Sequence, residues 1–145
     1  MRLPAPSTLV AVDTTELALT TGEGPAVVDI TREVAAFVAG KGDGLLTVFV
    51  PHATAGVAVM ETGSGSDRDL ADHLDTLFPR DGRWTHRHGS PGHGADHVIP
   101  AFVSPSVTIP VIDGSPALGT WQSIVLVDPN RDNRRRRVRL AFLPG

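Results

Sequence analysis

The 145-residue sequence contains no cysteine and no tyrosine, and its aromatic side chains are limited to five Phe and two Trp. The absence of cysteine excludes a disulfide framework, a thiolate metal site and a cysteine nucleophile. The absence of tyrosine excludes a phenol as an acid or base. No apolar run is long enough to span a membrane as a helix. Any chemistry therefore falls to histidine, carboxylate, serine or threonine side chains, or to a bound metal.

The composition is that of one folded domain, which we assign to residues 1–145. Hydrophobic residues make up 41% of the chain and charged residues 20%, which excludes a disordered protein or a coiled coil. The first ten residues contain neither a signal peptide nor an anchor pattern, so we expect a cytoplasmic protein that does not contact membranes. The net charge is -3, although residues 131–139 hold six Arg against one Asp.

Periodic apolar patterns predict two helices and a third, short one. Thr31 is expected to cap a helix that stops at Gly40, and Ser66 or Asp67 to cap one that ends before Pro79. A brief helix over 98–103 requires a proline in its first turn. Strand-like runs lie at 8–20, 45–50, 56–61, 106–112, 120–127 and 137–143.

The order of these elements predicts an α+β fold, because strands and helices do not alternate regularly. We expect antiparallel sheets packed in a sandwich-like core with two or three helices. Residues 45–50 form a continuous apolar run, which predicts a buried strand. Strands that are apolar on both faces indicate either sheet-on-sheet packing or burial in an oligomer.

Four of the six histidines fall within residues 86–97, the densest cluster of potential ligands in the chain. They are His86, His88, His93 and His97. Without cysteine, histidine and carboxylate are the remaining strong ligands for a transition metal. The cluster therefore indicates a metal or catalytic site, and the alternative is a solvated polar loop.

Two polar residues bracket the apolar run 56–60, and each has more than one interpretation. His52 follows a buried strand, where it is either a site residue or a hydrogen-bonded structural histidine. Glu61 is either a base, a partner of a histidine, or an ordinary surface carboxylate. His73, at the flank of its helix's apolar stripe, is expected to have no functional role.

The arginine-rich end of the chain is compatible with an anion site. If residues 135–143 form a strand, Val138, Leu140 and Phe142 face the core, and alternate arginines face outward. One or two arginines could hold an anion, but a nucleic-acid surface is not expected because no aromatics are interleaved with them.

The motif LGTWQ (118–122), with SVTIPVIDG (106–114) upstream, resembles the YjbQ-like family, often named secondary thiamine-phosphate synthase. Further matches extend the resemblance over about residues 8–145. They are His52, Thr54, Ala55 and Glu61, the histidine pair His86 and His97, and the arginine pair Arg136 and Arg137.

The resemblance implies an α+β fold, a homotrimer and a polar pocket that holds a divalent metal, with Zn²⁺ as the expected ion. It also implies a weak thiamine-phosphate synthase activity, a transferase reaction that joins a pyrimidine pyrophosphate to a thiazole phosphate. The pocket lining departs from the family pattern at Ala53, Met60, Ser104 and Asp128. The resemblance therefore supports a metal site in this chain more strongly than it supports a particular substrate.

On this basis we expect His52, His86 and His97 to bind the metal. The expected catalytic residues are Glu61, His52 and Arg136. The expected substrate-binding residues are Thr54, Thr120, Gln122 and Arg137, and the substrate is a small phosphorylated molecule. Two alternatives remain: a metal-assisted hydrolase of a phosphate ester or lactone, and a non-catalytic trimeric binding protein.

Overall fold

The fold was described from a computed structural model, which defines residues 10–145. Two antiparallel sheets carry its eight strands: β1 (Asp13–Thr20), β2 (Ala26–Asp29), β3 (Gly44–Phe49), β4 (Gly56–Met60), β5 (Ser106–Ile112), β6 (Ser115–Pro116), β7 (Ser123–Asp128) and β8 (Arg135–Pro144). The larger sheet has the order β1-β8-β3-β5-β6 and the smaller one β2-β7-β4. The predicted α+β class with antiparallel sheets is confirmed. Residues 8 and 9, predicted to begin the first strand, lie outside the described residues.

The two predicted helices are present, but their predicted caps are wrong. Helix α1 is Thr31–Val38 and helix α2 is Ser66–Leu77. Their N-cap positions are Ile30 and Gly65, and neither helix has a side-chain cap. Thr31 instead accepts a hydrogen bond at its hydroxyl from the backbone N–H of Ile124, which ties α1 to β7.

The core between the sheets explains why apolar and polar side chains alternate along the strands. Leu46 and Val48 of β3 pack with Val138, Leu140 and Phe142 of β8, as the alternation in the arginine-rich segment predicted. Residues of β7 and β4 and the apolar stripe of α1 close this core from the other side. They include Ile124, Leu126, Val57, Val34 and Val38.

Strand β7 is buried on both faces. Val125 and Val127 point away from the first core and pack with Leu74 of α2 and Ile99. The chain thus forms layers, with the large sheet outermost, the small sheet in the middle and α2 on its far side. Ile99–Ala101 is a short 3₁₀ helix with a proline in its first turn, as expected.

The prediction of a buried strand at residues 45–50 holds for only one face of β3. Leu45 and Phe49 are 47% and 38% exposed on the outer face of the large sheet. Leu45 lies opposite Leu143 of β8, at the end of the sheet where β5 carries Ile112, whereas Phe49 lies at the other end of β3, opposite Arg139. Side chains alternate across a strand, so this face lies opposite the core. We call Leu45, Phe49, Ile112 and Leu143 the outer apolar face.

Candidate metal centre

The four histidines of residues 86–97 come together in one cluster. One ring nitrogen from each of His86, His88, His93 and His97 lies within 4.8 Å of every other. The ring centroids of His86 and His97 are 4.2 Å apart, and those of His86 and His88 are 4.0 Å apart. The predicted ligands His86 and His97 are therefore neighbours, and His88 and His93 complete the group. We call these four residues the histidine cluster.

A loop that is anchored at both ends carries the histidine cluster. It begins after α2, which ends at Leu77, and it continues through Pro79 to the short 3₁₀ helix His93–Ala95. The Arg80 guanidinium donates to Asp96 Oδ2 at 3.1 Å and to the carbonyl of Pro129. Trp84 Nε1 donates to the carbonyl of Pro79 at 2.7 Å. These contacts fix the loop against the end of β7.

Two glycines allow the close contacts inside this loop. A Cβ on Gly94 would lie 2.5 Å from Trp84 Cβ and 2.7 Å from the His86 carbonyl oxygen. Gly89 has φ near +80°, and its Cβ would lie 2.5 Å from Asp132 Oδ2. Such distances exclude larger residues unless the backbone moves. The glycines therefore permit the approach of His86 to the 3₁₀ helix and of Asp132 to His93.

Two carboxylates orient the buried His93. Its Nδ1 lies 3.2 Å from Asp96 Oδ2 and 3.0 Å from Asp132 Oδ2. Carboxylate acceptors place the proton on Nδ1, which leaves Nε2 as an acceptor. That Nε2 forms a hydrogen bond of 3.0 Å with Nε2 of His97. This carboxylate–histidine arrangement is the one that orients metal ligands in proteins.

The electrostatics keep the cluster receptive to a cation. Desolvation, aided by the neighbouring histidines, lowers the pKa of His86 and of His97 below the usual value for histidine. The hydrogen bond from the backbone N–H of Ser90 lowers the pKa of Asp132, so this carboxylate stays ionised. Burial raises the pKa of Asp96, against the opposing effect of Arg80. Neutral imidazoles beside a carboxylate are the form that binds a metal.

The donor set fits a transition metal. Zn–N bonds of about 2.0–2.1 Å in a tetrahedral site place ligand nitrogens roughly 3.4 Å apart. The observed spacings, from 3.0 Å to at most 4.8 Å, require only small side-chain rotations to match. Nitrogen-only donors suit Zn²⁺, Cu²⁺, Ni²⁺ or Co²⁺ and do not suit Mg²⁺ or Ca²⁺.

His52, the third predicted ligand, is not a member of the histidine cluster. Its Nε2 accepts the backbone N–H of Arg137 at 2.9 Å. Desolvation together with the charges of Arg136 and Arg137 lowers the pKa of His52. Within the described residues it has the position of a hydrogen-bonded structural histidine, which was the alternative interpretation. The His52, His86 and His97 triad therefore does not assemble within one chain.

Arg136 is committed to a buried ion pair. It is 2% exposed, and its Nε and Nη2 each donate to Asp128 at 2.8 Å. Nη2 also donates to the hydroxyl of Thr54 at 3.1 Å, so Thr54 serves the same network. Nε and Nη2 of Arg136 are thus both engaged inside the protein, and the structure gives no support to the catalytic role expected for it.

The remaining predicted residues lie at the surface and outside the histidine cluster. Arg137 is exposed and pairs with Glu16 at 3.5 Å. Gln122 accepts the backbone N–H of Gly119 at its own Oε1, and Thr120 is exposed in the turn before β7. Glu61 is exposed just after β4. His73 forms a hydrogen bond within its own helix, at the Asp69 carbonyl oxygen.

Sequence reasoning left the roles of His88 and His93 open, and the structure brings both together with His86 and His97. The density of histidines in residues 86–97 indicated a site, but their spacing alone did not distinguish the expected metal ligands from histidines without a role. Of the two carboxylates that hold His93, Asp132 carried no sequence signal, because it is 39 residues away along the chain.

Fold and cluster together define a class: an antiparallel two-sheet α+β protein with a histidine site on the loop after its second helix. The sequence model of the family described as "UPF0047 protein YjbQ-like" matches residues 15–145. This chain belongs to that family. The resemblance seen in the sequence is confirmed.

Relatives and solved structures agree with the assignment. A UPF0047 protein of Mycobacterium bovis is 66% identical over 119 residues, which is 82% of this chain and 92% of that protein. A hypothetical protein of Aeropyrum pernix has a crystal structure that superimposes with a TM-score of 0.82 at 32% identity, covering 92% of this chain and 99% of that one. A YbjQ-like protein of unknown function from Sulfolobus solfataricus shares the fold, with a TM-score of 0.86 at 24% identity over 93% and 99% of the two chains.

No helix among the described residues is long and apolar enough to cross a membrane.

Proposed function

We propose that the histidine cluster binds a divalent transition metal, preferentially Zn²⁺, and that the protein uses this site to act on a small phosphorylated molecule. The observation that carries the proposal is the convergence of four imidazole nitrogens, one of them oriented by two carboxylates. A bound divalent cation supplies Lewis acidity to a phosphoryl oxygen. The residues of the chain would hold and orient this cation.

The residues have separate tasks in this proposal. Asp96 and Asp132 hold the proton on His93 Nδ1 and thereby direct Nε2 into the cluster. Arg80 fixes Asp96 in turn. His86 and His88 are exposed, so the site is reached from solvent on their side. Buried His93 and half-buried His97 form its fixed wall.

The leading reaction is the one the family resemblance implies, formation of thiamine phosphate from a pyrimidine pyrophosphate and a thiazole phosphate. In that reaction the thiazole nitrogen attacks the methylene carbon, and the pyrophosphate leaves with the electron pair of the broken C–O bond. The solvent exposure of His86 and His88 favours a second candidate, hydrolysis of a phosphate ester or lactone, because water has free access. A four-nitrogen site can also be coordinatively saturated, which favours the third candidate, a non-catalytic binding protein.

A homotrimer is proposed as the assembled state, on the strength of the resemblance and of the outer apolar face. Leu45, Phe49, Ile112 and Leu143 are exposed large side chains on one sheet surface of the single chain. Large apolar side chains exposed on one sheet surface are typical of an interface.

Metal analysis tests the binding proposal. Protein purified without a metal-affinity column is loaded with Zn²⁺, dialysed and analysed for the wild type, His97→Ala, His52→Ala and the control His73→Ala. We expect metal in the wild type, His52→Ala and His73→Ala, and its loss in His97→Ala. Equal metal in His97→Ala and the wild type rejects the site.

Activity separates the three candidates. The pyrimidine pyrophosphate and thiazole phosphate pair is assayed beside a panel of phosphate esters and lactones, with the wild type and His97→Ala. Turnover of the pair that is lost in His97→Ala supports the synthase. Turnover of a panel member alone supports the hydrolase, and metal binding with neither supports the binding protein.

A further inference from the structure

A cavity of about 480 Å³ adjoins the histidine cluster. His86 and His93 form part of its wall, and Arg80, Trp84, Arg87 and Ser90 form much of the rest. A volume of this size is ordinary for a small-molecule site. The metal proposed above would therefore lie at one wall of a space that can hold a ligand.

The charges around this cavity leave one cation unpaired. Arg80 is neutralised by Asp96, and the Asp81 carboxylate is taken by Arg83, whose Nε and Nη2 donate to it at 2.8 Å. Arg87 forms no ion pair in the part of the chain that the structure describes. Its guanidinium makes one long hydrogen bond there, 3.4 Å to the Gly82 carbonyl. A free guanidinium beside a cation-binding cluster favours an anion.

Two shielded donors in the wall make no close hydrogen bond. Arg80 Nε and the Ser90 hydroxyl have no hydrogen-bond partner among residues 10–145, and Arg80 Nε lies 3.7 Å from Asp75 Oδ1. Leaving a buried donor unpaired costs stability, and such groups in native structures call for an explanation. Phosphate oxygens that enter the cavity would give these two donors closer acceptors, either directly after a small side-chain movement or through water.

We propose that this cavity binds the phosphate or pyrophosphate group of the substrate, with Arg87 as the principal contact. The inference deepens and rests on the proposed function, because the cavity shares His86 and His93 with the metal cluster. It narrows the substrate class to molecules whose phosphoryl group can reach Arg87 and the cluster together. It places the anion contact on Arg87, whereas the sequence predicted a substrate-binding arginine at Arg137.

Fluorescence of Trp84 provides the test. The chain has two tryptophans, and Trp121 is 75% exposed on a different loop, so Trp121→Phe leaves Trp84 as the single emitter. Metal-free Trp121→Phe protein is titrated with inorganic pyrophosphate, and calorimetry on the same samples detects binding that leaves the emission unchanged. Arg87→Gln is added in the same background. Arg83→Gln, in the same loop and with the same charge change, is the control.

We expect saturable pyrophosphate binding that Arg87→Gln weakens about tenfold or more, the usual effect of losing one charged hydrogen bond. Arg83→Gln should weaken it by less than about twofold, because Arg83 is already paired with Asp81. Equal effects of the two variants, or no binding in either measurement, overturn the proposal. Because the titration uses metal-free protein, pyrophosphate binding that depends on Arg87 would support the cavity proposal even if the protein does not bind zinc. Zinc binding without pyrophosphate binding would reject the cavity proposal and leave the metal proposal intact.

Discussion

At the scale of single residues, the proposed metal site depends on how His93 is held. Asp132 contributes one of its two carboxylate contacts and is itself 31% exposed, so its replacement should not unfold the chain. Removing an outer carboxylate from a metal-bound histidine typically costs about 10- to 100-fold in metal affinity. Asp132→Asn is therefore expected to lower Zn²⁺ affinity by about tenfold or more, measured by competition with a chromophoric chelator.

Asp81→Asn is the matched control for this prediction. Asp81 lies in the loop that carries the histidine cluster, and its replacement removes the same charge, but its carboxylate binds Arg83 rather than a histidine. Equal affinity losses in the two variants would show that net charge, and not the orientation of His93, determines binding.

Protonation of the histidines links stability to pH. The pKa values of His52, His86 and His97 are all lowered in the fold, so the unfolded chain takes up protons first as the pH falls. The free energy of unfolding should therefore be greatest above about pH 6.5 and decrease as the pH falls below that value. Urea unfolding of metal-free protein at about pH 7.5 and about pH 5.5 measures this decrease. The double variant His86→Gln and His97→Gln should show a smaller decrease, and an unchanged one contradicts the assignment.

The buried Asp128–Arg136 pair is expected to serve stability. Asp128 is fully buried, so Asp128→Asn leaves the Arg136 charge without its partner. Breaking such a pair costs about 3–5 kcal/mol. Glu16→Gln, which removes the partner of exposed Arg139, should cost less than about 1 kcal/mol. Urea unfolding compares the two, and similar losses would refute the distinction.

At the scale of elements, the loop after α2 and the turn after β7 form one supporting structure. The backbone N–H of Asn130 donates to Asp128, and that of Asp132 donates to Asn130. Successive turns therefore run from the buried ion pair to the carboxylate that holds His93. The buried end of β7 thereby helps to position the histidine cluster, which lies on a loop.

Close packing of the 3₁₀ helix His93–Ala95 against residues 84–86 makes Gly94 sensitive to substitution. Gly94→Ala places a methyl group against Trp84 and the His86 carbonyl, which moves His86 away from His97. We expect a loss of about 1–3 kcal/mol of stability together with weakened Zn²⁺ binding. Gly82→Ala, in the same loop with open space around it, should change neither. Chemical unfolding and the chelator competition give both readouts, and a Gly94→Ala protein that binds zinc normally would contradict this packing argument.

Most of the elements could be predicted from the sequence, because local patterns determine them. The alternation in β8, the 3.6-residue period of α2 and the position of Pro100 all led to the correct structure. The site was predicted less completely. His86 and His97 were identified, whereas the contribution of His93 depends on Asp132, which only the tertiary fold brings near. The burial of Arg136 did have a signal, since it lies on the same side of β8 as Val138 and Leu140.

At the scale of the whole molecule, the outer apolar face is the surface that we propose as the interface between the chains of the trimer. Phe49→Asp places a charge on this face and should shift the proposed trimer to monomer in sedimentation-velocity experiments. Leu77→Asp, at the similarly exposed end of α2, should leave the oligomer unchanged. A wild type that sediments as a monomer, or a Phe49→Asp protein that remains trimeric, rejects this face as the interface.

Anomalous diffraction from crystals of zinc-loaded protein is the decisive test of the proposed metal centre. We expect one strong zinc peak per chain, about 2.0–2.1 Å from ring nitrogens of the histidine cluster. His93 should bind through Nε2, with its Nδ1 still bonded to Asp96 and Asp132. A peak located beside His52 instead, or no peak within bonding distance of His93 and His97, would refute this centre.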